Sequence, residues 1–374
     1  MRPRRPWRAT LTIVAIVAWL GAACGAPEAP IAATSPASLP TAARDAGVAL
    51  DAGSALEAGA VDAWAGDGGD PNAGVVANVD AGGAVSTSTP PPTLTPPHAR
   101  TAQPDDGAWR PLRSDSGEAV LYETTLHPSA TNPYVSVSLV AADLTHVALR
   151  LVAGTREPVA PDVPASARAG LVPAADHAGL LAVANGGWRS EHGRFAMRVG
   201  PHRFDRPRPG RGEACTVGLD EGGRLVVGPW AELEPRETEL AAWRQTPACL
   251  VLHGAVHPAL ATETHTRRWG AAADGGVEIP RTALGVDRAG RYALFALGDR
   301  TTAKALADTM VAAGARAAAE LDINWSYTRF FLYSNASGAP RIARSIGTKG
   351  QHPAASYVER RSERDFFYFA RRAP

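Results

Sequence analysis

Cysteine is scarce in this sequence: three residues in 374, alongside three methionines and 6% aromatic side chains. The cysteines, at positions 24, 215 and 249, lack the close spacing of a metal knuckle. Surplus charge is lacking too. With Lys and Arg at 38 against Asp and Glu at 37, the net charge is +1, and nothing in that balance points to nucleic acid. There is no Gly-x-Gly-x-x-Gly after a strand and no phosphate loop of the Gly-Lys-Ser type. Ala343-Arg344-Ser345-Ile346-Gly347 lacks the first glycine of a nucleophile elbow and the strand-to-helix context it needs. Nucleotide-binding and serine-hydrolase readings are therefore without support.

Large apolar side chains are missing from a long stretch as well. From Gly25 to Gly107 the chain is Ala, Gly, Pro, Asp, Ser and Thr, with repeated Asp-Ala-Gly triplets and a Pro90-Pro91-Pro92 cluster. Such a segment cannot offset the entropy of ordering it, so residues 25–108 are expected to form a disordered tether. The folded part is expected over residues 109–374, enough for one domain with a full core. Ahead of the tether, Arg2, Arg4, Arg5 and Arg8 precede an apolar run, Leu11 to Leu20, too short to stay as a membrane span. Gly21-Ala22-Ala23-Cys24 then ends residues 1–24 in small side chains, so the start resembles a bacterial lipoprotein signal with Cys24 as the acylated residue. Cleavage by an ordinary signal peptidase is the alternative. Either way the chain is expected to leave the cytoplasm, in the first case for the bacterial cell envelope with a lipid anchor at Cys24 in the membrane, in the second as a periplasmic or secreted protein. Outside the cytoplasm, Cys215 and Cys249 can form a disulfide; two buried free thiols are the other reading.

The richest stretch runs from Glu278 to Tyr333. Ala283-Leu284-Gly285-Val286 and Tyr292 to Leu297 are apolar runs joined by Asp287-Arg288-Ala289-Gly290, which predicts a β-hairpin. Leu306, Met310 and Val311 recur at helical spacing behind Thr301 and Thr302, and Gly314 closes a helix of about three to four turns. Beyond it, Ala319 to Trp325 alternate as a strand with Glu320, Asp322 and Asn324 on one face and Leu321, Ile323 and Trp325 on the other. Two carboxylates buried side by side push their proton affinities apart, the arrangement from which an acid and a base are made. The bland alternative is that this face meets solvent at a sheet edge.

Other segments supply the frame. Strands are predicted over Glu118 to Leu126, Tyr134 to Leu139, Thr145 to Val152, Phe195 to Val199 and Leu225 to Val227, and Leu180 to Ala184 runs into Asn185-Gly186-Gly187-Trp188. Paired glycines at a strand end serve a tight turn or a close approach. Arg203 to Gly212 is a basic loop, solvated or facing an anionic substrate, and Pro235 to Trp243 is a short helix by composition. His253, His257 and His265 would suit zinc only on a helix; Gly254 and Pro258 argue for a strand end and turn instead. The aromatic strand Arg364-Asp365-Phe366-Phe367-Tyr368-Phe369 is expected to close a sheet.

Asn185-Gly186-Gly187-Trp188, then Arg244-Gln245 before an apolar strand, then Pro280-Arg281-Thr282-Ala283-Leu284-Gly285-Val286-Asp287, a helix, and Leu321-Asp322, in that order, resemble the phosphodiester glycosidase family. The likeness covers Tyr134 to Tyr368. It implies an α/β domain of mixed α+β type, a multi-stranded mixed sheet with packed helices, that hydrolyses the glycosidic bond of a sugar-1-phosphodiester in an envelope or extracellular glycan. Asp322 matches the family aspartate and would be base, nucleophile or metal-holding carboxylate, with Glu320 as its catalytic partner. Arg281 and Thr282 match the family Arg-Thr, with Arg281 a phosphate ligand; a pair with Asp287 or Glu278 is its structural alternative. Asn185, Gly186, Gly187 and Asn324 would contact substrate, and a calcium or magnesium ion beside Asp322 suits oxygen ligands. Where the family carries a glycine run and Ser after the aspartate, this chain reads Ile323-Asn324-Trp325-Ser326. A glycan-binding module that kept the fold without the activity is the rival reading.

Overall fold

The computed structural model describes residues 88–112, 119–205, 207, 212–262, 267–324, 327–347 and 352–372. The expected export signal, Cys24 and residues 25–87 of the expected tether lie outside them. In chain order the strands are β1 (Arg110–Leu112), β2 (Leu121–Leu126), β3 (Val137–Asp143), β4 (Val147–Val152), β5 (Leu180–Asn185), β6 (Met197–Val199), β7 (His202–Phe204), β8 (Ala214–Leu219) and β9 (Leu225–Pro229). After helix α1 (Trp230–Leu233) come β10 (Ala242–Ala248), β11 (Val251–Leu252), β12 (Ala255–Val256), α2 (Pro258–Thr262), β13 (Ile279–Asp287) and β14 (Tyr292–Thr301). Helix α3 (Ala303–Ala312), β15 (Ala315–Ile323), β16 (Phe330–Ser334), β17 (Arg341–Ile346) and β18 (Phe366–Arg371) complete the order.

Three sheets form: β1-β2-β3-β14-β13-β15-β11-β12, β7-β6-β10-β8-β9, and β17-β16-β5-β18-β4. Every pairing of these strands is antiparallel, which corrects the expected mixed sheet. The parallel relation survives at one remove, because α3 carries the chain from β14 over β13 to β15. The predicted hairpin is β13–β14, and the predicted helix is α3, where the Thr302 hydroxyl accepts the Ala305 amide at 3.1 Å as an N-cap.

Alternation divides the core between the two faces of the eight-stranded sheet. Val140, Leu284, Phe295 and Leu321 face the other two sheets in one cluster; Leu139, Ala283, Leu294 and Ala318 face α3 through Leu306 and Met310 in another. Residues on both faces are buried, so the strand of Glu320 and Asp322 is interior and does not meet solvent. Cys215 and Cys249 form a disulfide that joins β8 to the β10–β11 junction.

Three further expectations are corrected. The described chain is joined to the domain from Ser88, ahead of the expected start at residue 109. Ser88 donates to Asp143 at 2.9 Å, Tyr292 to the Thr89 carbonyl at 2.6 Å and the Trp109 indole to the Pro92 carbonyl at 3.0 Å; local composition does not reveal such distant partners. Pro235 to Trp243 is a 3-10 turn, Glu234–Glu239, followed by β10, because Trp243 is fully buried in the sheet against Trp230. Finally, β18 closes no edge; it lies between β5 and β4.

Candidate active site

The ends of β5, β15 and β18 meet where Asn185-Gly186-Gly187 leaves its strand, and three buried arginine–carboxylate pairs surround the meeting point. The pairs are Arg244–Asp365 at 3.0 Å, Arg281–Glu320 at 2.6 Å and Arg364–Asp322 at 2.6 Å. The first two are wholly enclosed, and only the third keeps a trace of exposure, 8% and 6% at its two side chains.

A bulge decides which carboxylate goes where. In the β13–β15 register Arg281 faces Ile323 and Ala283 faces Glu320, so three steps on β15 oppose two on β13. The extra residue falls at Leu321–Asp322 and breaks the period of two that would put Glu320 and Asp322 on one face. Glu320 stays with Arg281 beside Trp269, within the core on the α3 side. Asp322 is turned to Arg364, and its backbone is held by the Gly186 carbonyl and the Thr282 hydroxyl, which lie 3.0 and 2.8 Å away.

Most of the expected substrate ligands are spent inside the protein. Arg281 has no exposed surface. Its Nε reaches the Thr301 carbonyl at 3.1 Å, its Nη1 Glu320 and the Trp269 carbonyl, and its Nη2 the carbonyls of Gly270 and Val277, both at 3.0 Å. No donor of the fork is left for a phosphate, and neither Asp287 nor Glu278 is its partner. Asn185 is occupied likewise: its amide donates to Thr282 Oγ1 at 2.8 Å and the Gly186 carbonyl at 3.1 Å, and accepts the Arg329 amide at 3.1 Å. Gly186 and Gly187 permit close approach. A Cβ on Gly186 would stand 2.1 Å from Asp365 Oδ2, and one on Gly187 2.7 Å from Arg244 Cζ. The Gly187 amide donates to Asp365 at 2.9 Å, and its carbonyl accepts from Arg364 at 3.0 Å.

What remains open toward a ligand is a smaller set. Asn324 ends the strand in the left-handed region at φ 75°, tolerable for asparagine. Its backbone is tied to Pro280 at 2.8 Å, while its half-buried side chain makes no hydrogen bond among the described residues. Arg364 is 7% exposed, and its Nε has no acceptor among the described residues. The guanidinium groups of Arg364 and Arg329 lie 4.1 and 4.6 Å from the Tyr327 ring centre, and Arg329 also donates to the Tyr357 hydroxyl at 3.1 Å. Trp325 and Ser326, beside them in sequence, lie outside the described residues.

Burial pushes the Asp322 carboxyl up to about 7, against the opposing pull of Arg364 and the Ile323 backbone. Glu320 is pushed up by the same cause, with Arg281 opposing. Asp322 Oδ2 is close to Arg364 without an aligned hydrogen bond, so the pair is held by charge. A calcium or magnesium ion does not fit here, since Asp322 has the cations Arg364 and Arg244 beside it and its carboxylate neighbours are committed, Asp365 to Arg244 and Gly187 and Glu320 to Arg281. Among the described residues, His253 and His257 make no metal centre. His253 sits in the β11–β12 turn, the His257 ring accepts the Ala259 amide at 3.1 Å, and His265 lies outside the described residues. Among the described residues no group of three metal-ligating side chains occurs.

Reading the sequence by motif missed Arg364, Asp365, Arg329 and Tyr327. One sign was available: the Arg364-Asp365 doublet heads an aromatic strand whose other members are buried, and charge at such a place needs a partner.

No protein-family model matches this chain, and no curated protein does. Solved structures do. The catalytic domain of zebrafish N-acetylglucosamine-1-phosphodiester alpha-N-acetylglucosaminidase, auto-inhibited by its pro-peptide, aligns at 17% identity with a TM-score of 0.43, over 71% of this chain and 88% of that one. A hypothetical protein from Synechocystis aligns at 10% identity and TM-score 0.40, over 71% of this chain and 61% of that one.

Proposed function

We propose that this chain is an exported hydrolase that cleaves the glycosidic bond of a sugar-1-phosphodiester, with Asp322 as its reacting carboxylate and Arg364 as the cation for phosphate. The observation that carries the reading is the Asp322–Arg364 pair: a buried carboxyl with affinity for a proton near neutral pH, against an arginine with an uncommitted donor. The disulfide is in keeping with an oxidising compartment and so with export.

The chemistry follows from the substrate. A phosphodiester leaves the sugar as a phosphate monoester, an anion stable enough to depart without prior protonation, so the demand falls on activating water. Water attacks C1 and gives its proton to Asp322; the C1–O bond breaks, and its electron pair stays on the phosphate oxygen. Arg364, with Arg329 beside it, balances the charge gathering on phosphate, and Asn324 supplies an amide for a sugar hydroxyl. Glu320 and Asp365, both sealed from solvent, hold Arg281 and Arg244 and touch no substrate in this scheme.

The test is turnover of p-nitrophenyl phosphodiesters of common hexoses and N-acetylhexosamines by the full chain and by Asp322→Asn. Release of free sugar and p-nitrophenyl phosphate by the parent and not by the variant is expected; p-nitrophenol would instead report cleavage at phosphorus. Equal release by both would remove Asp322 from the mechanism, and binding without release by a folded parent would favour the glycan-binding module.

A further inference from the structure

A second cleft lies at the far end of β18. Six strand steps separate Asp365 from Arg371, roughly 20 Å along the strand, so this place is distinct from the carboxylate site. The cleft measures about 650 Å³ and is lined by Arg150, Asp176, Gly179, Gly222, Arg371 and Arg372, among others. That is ample for a phosphate ester with its substituent.

Its arginines are held by neutral groups. Arg372 donates from Nε to the Leu144 carbonyl at 2.9 Å and from Nη1 to the Gly222 carbonyl at 2.6 Å; Arg150 donates from Nη1 to the Leu149 carbonyl at 3.2 Å. Nη2 of both has no acceptor, and neither makes an ion pair, among the described residues. Two carboxylates lie nearby without ion-pairing to either arginine among the described residues: Asp176 lines the cleft, and the charge of Asp220 reaches Arg372. Asp176 accepts the Tyr368 hydroxyl at 2.5 Å, and Asp220 accepts the Arg224 amide at 2.7 Å. Burial, and after it the charge of Arg150, lowers the proton affinity of Arg372, with Asp220 opposing, which places two like charges and one carboxylate within reach of one another. Two guanidinium groups share that carboxylate, so a further anion between them is favoured.

We propose that this cleft is a binding site for a phosphate group, gripped between the free donors of Arg150 and Arg372 with Arg371 alongside. Phosphate suits the arrangement because it offers several acceptor oxygens and up to two charges to planar guanidinium forks. A soluble phosphate ester and a phospholipid headgroup share that chemistry.

The experiment uses the full chain at low salt. Inorganic phosphate and glycerol phosphate are titrated by phosphorus NMR, and co-sedimentation is measured with vesicles of phosphatidylglycerol against phosphatidylcholine. Saturable binding is expected, weakened about tenfold or more in Arg150→Gln/Arg372→Gln, the scale of a lost charge-assisted hydrogen bond. Binding of the soluble probes identifies a solute site, and binding of anionic vesicles alone a headgroup site. Either supports the proposal. Should the double variant not fold, Arg150→Gln, which loses one backbone contact, decides alone. No saturable binding of any probe, or undiminished binding by a folded variant, overturns it. Arg364→Gln removes the phosphate cation of the proposed catalytic site, so the saturable binding that remains in that variant belongs to this cleft and is independent of the catalytic reading.

Discussion

Replacing Arg281 by methionine separates a structural arginine from a phosphate ligand. The guanidinium is enclosed, carries the Glu320 charge at 2.6 Å and satisfies the carbonyls of Thr301, Trp269, Gly270 and Val277. Methionine fills much of the volume but leaves a buried carboxylate without its partner, a loss of about 3 to 5 kcal/mol. In a domain of this size that is a fall in Tm of roughly 6 to 20 °C. The loss should depend on pH in a definite direction. Glu320 has its proton affinity raised on folding, so its contribution is fully present below the ordinary glutamate range and is lost as pH rises through the folded value. Arg281→Met should therefore be worse at pH 8 than at pH 5, and adding Glu320→Gln should recover part of the loss at pH 8. Differential scanning calorimetry across that range, with circular dichroism to confirm folding, is the assay. A variant that melts within about 2 °C of the parent at pH 8, yet no longer binds a phosphodiester, would refute the structural role and restore Arg281 as a ligand.

Other outcomes follow from the same geometry. Asp322 is raised from 3.8 to about 7, so it lowers stability as pH rises from 4 toward 7, by no more than about 4 kcal/mol; Asp322→Asn should flatten that part of a Tm-against-pH curve, and an unchanged slope would contradict the assignment. Gly186→Ala drives a methyl group to 2.1 Å from Asp365, which should cost about 1 to 3 kcal/mol or more in urea unfolding; a neutral result would mean the turn is not tightly seated. Cys249→Ser opens a link across 34 residues and should lower stability by about 3 to 4 kcal/mol. Reduction of the parent by dithiothreitol should reproduce that loss, and insensitivity to reductant would count against the disulfide.

The hairpin, α3 and the strand with Asp322 were legible in the sequence because each is a local matter: alternation, a Thr cap and turn residues act within a few positions. The Asn185-Gly186-Gly187 stretch was legible as a place of close approach, though not as to what approaches. Its neighbours are Asp365 and Arg244, far along the chain. The N-terminal boundary was misplaced for the same reason, since the segment from Ser88 is held by Asp143 and Tyr292 rather than by its own composition.

By itself, then, the sequence determined the β13–β14 hairpin, α3 and β15 as local elements and the presence of carboxylates on β15, while leaving open whether their face was buried. Tertiary structure alone decided which charge each carboxylate meets. A period of two places Glu320 and Asp322 together; a single bulged residue separates them, giving Glu320 to Arg281 in a sealed pair and Asp322 to Arg364 at the edge of the site. Register is fixed by the fit of one strand against its neighbour, and charges taken from water must find partners in whatever register results.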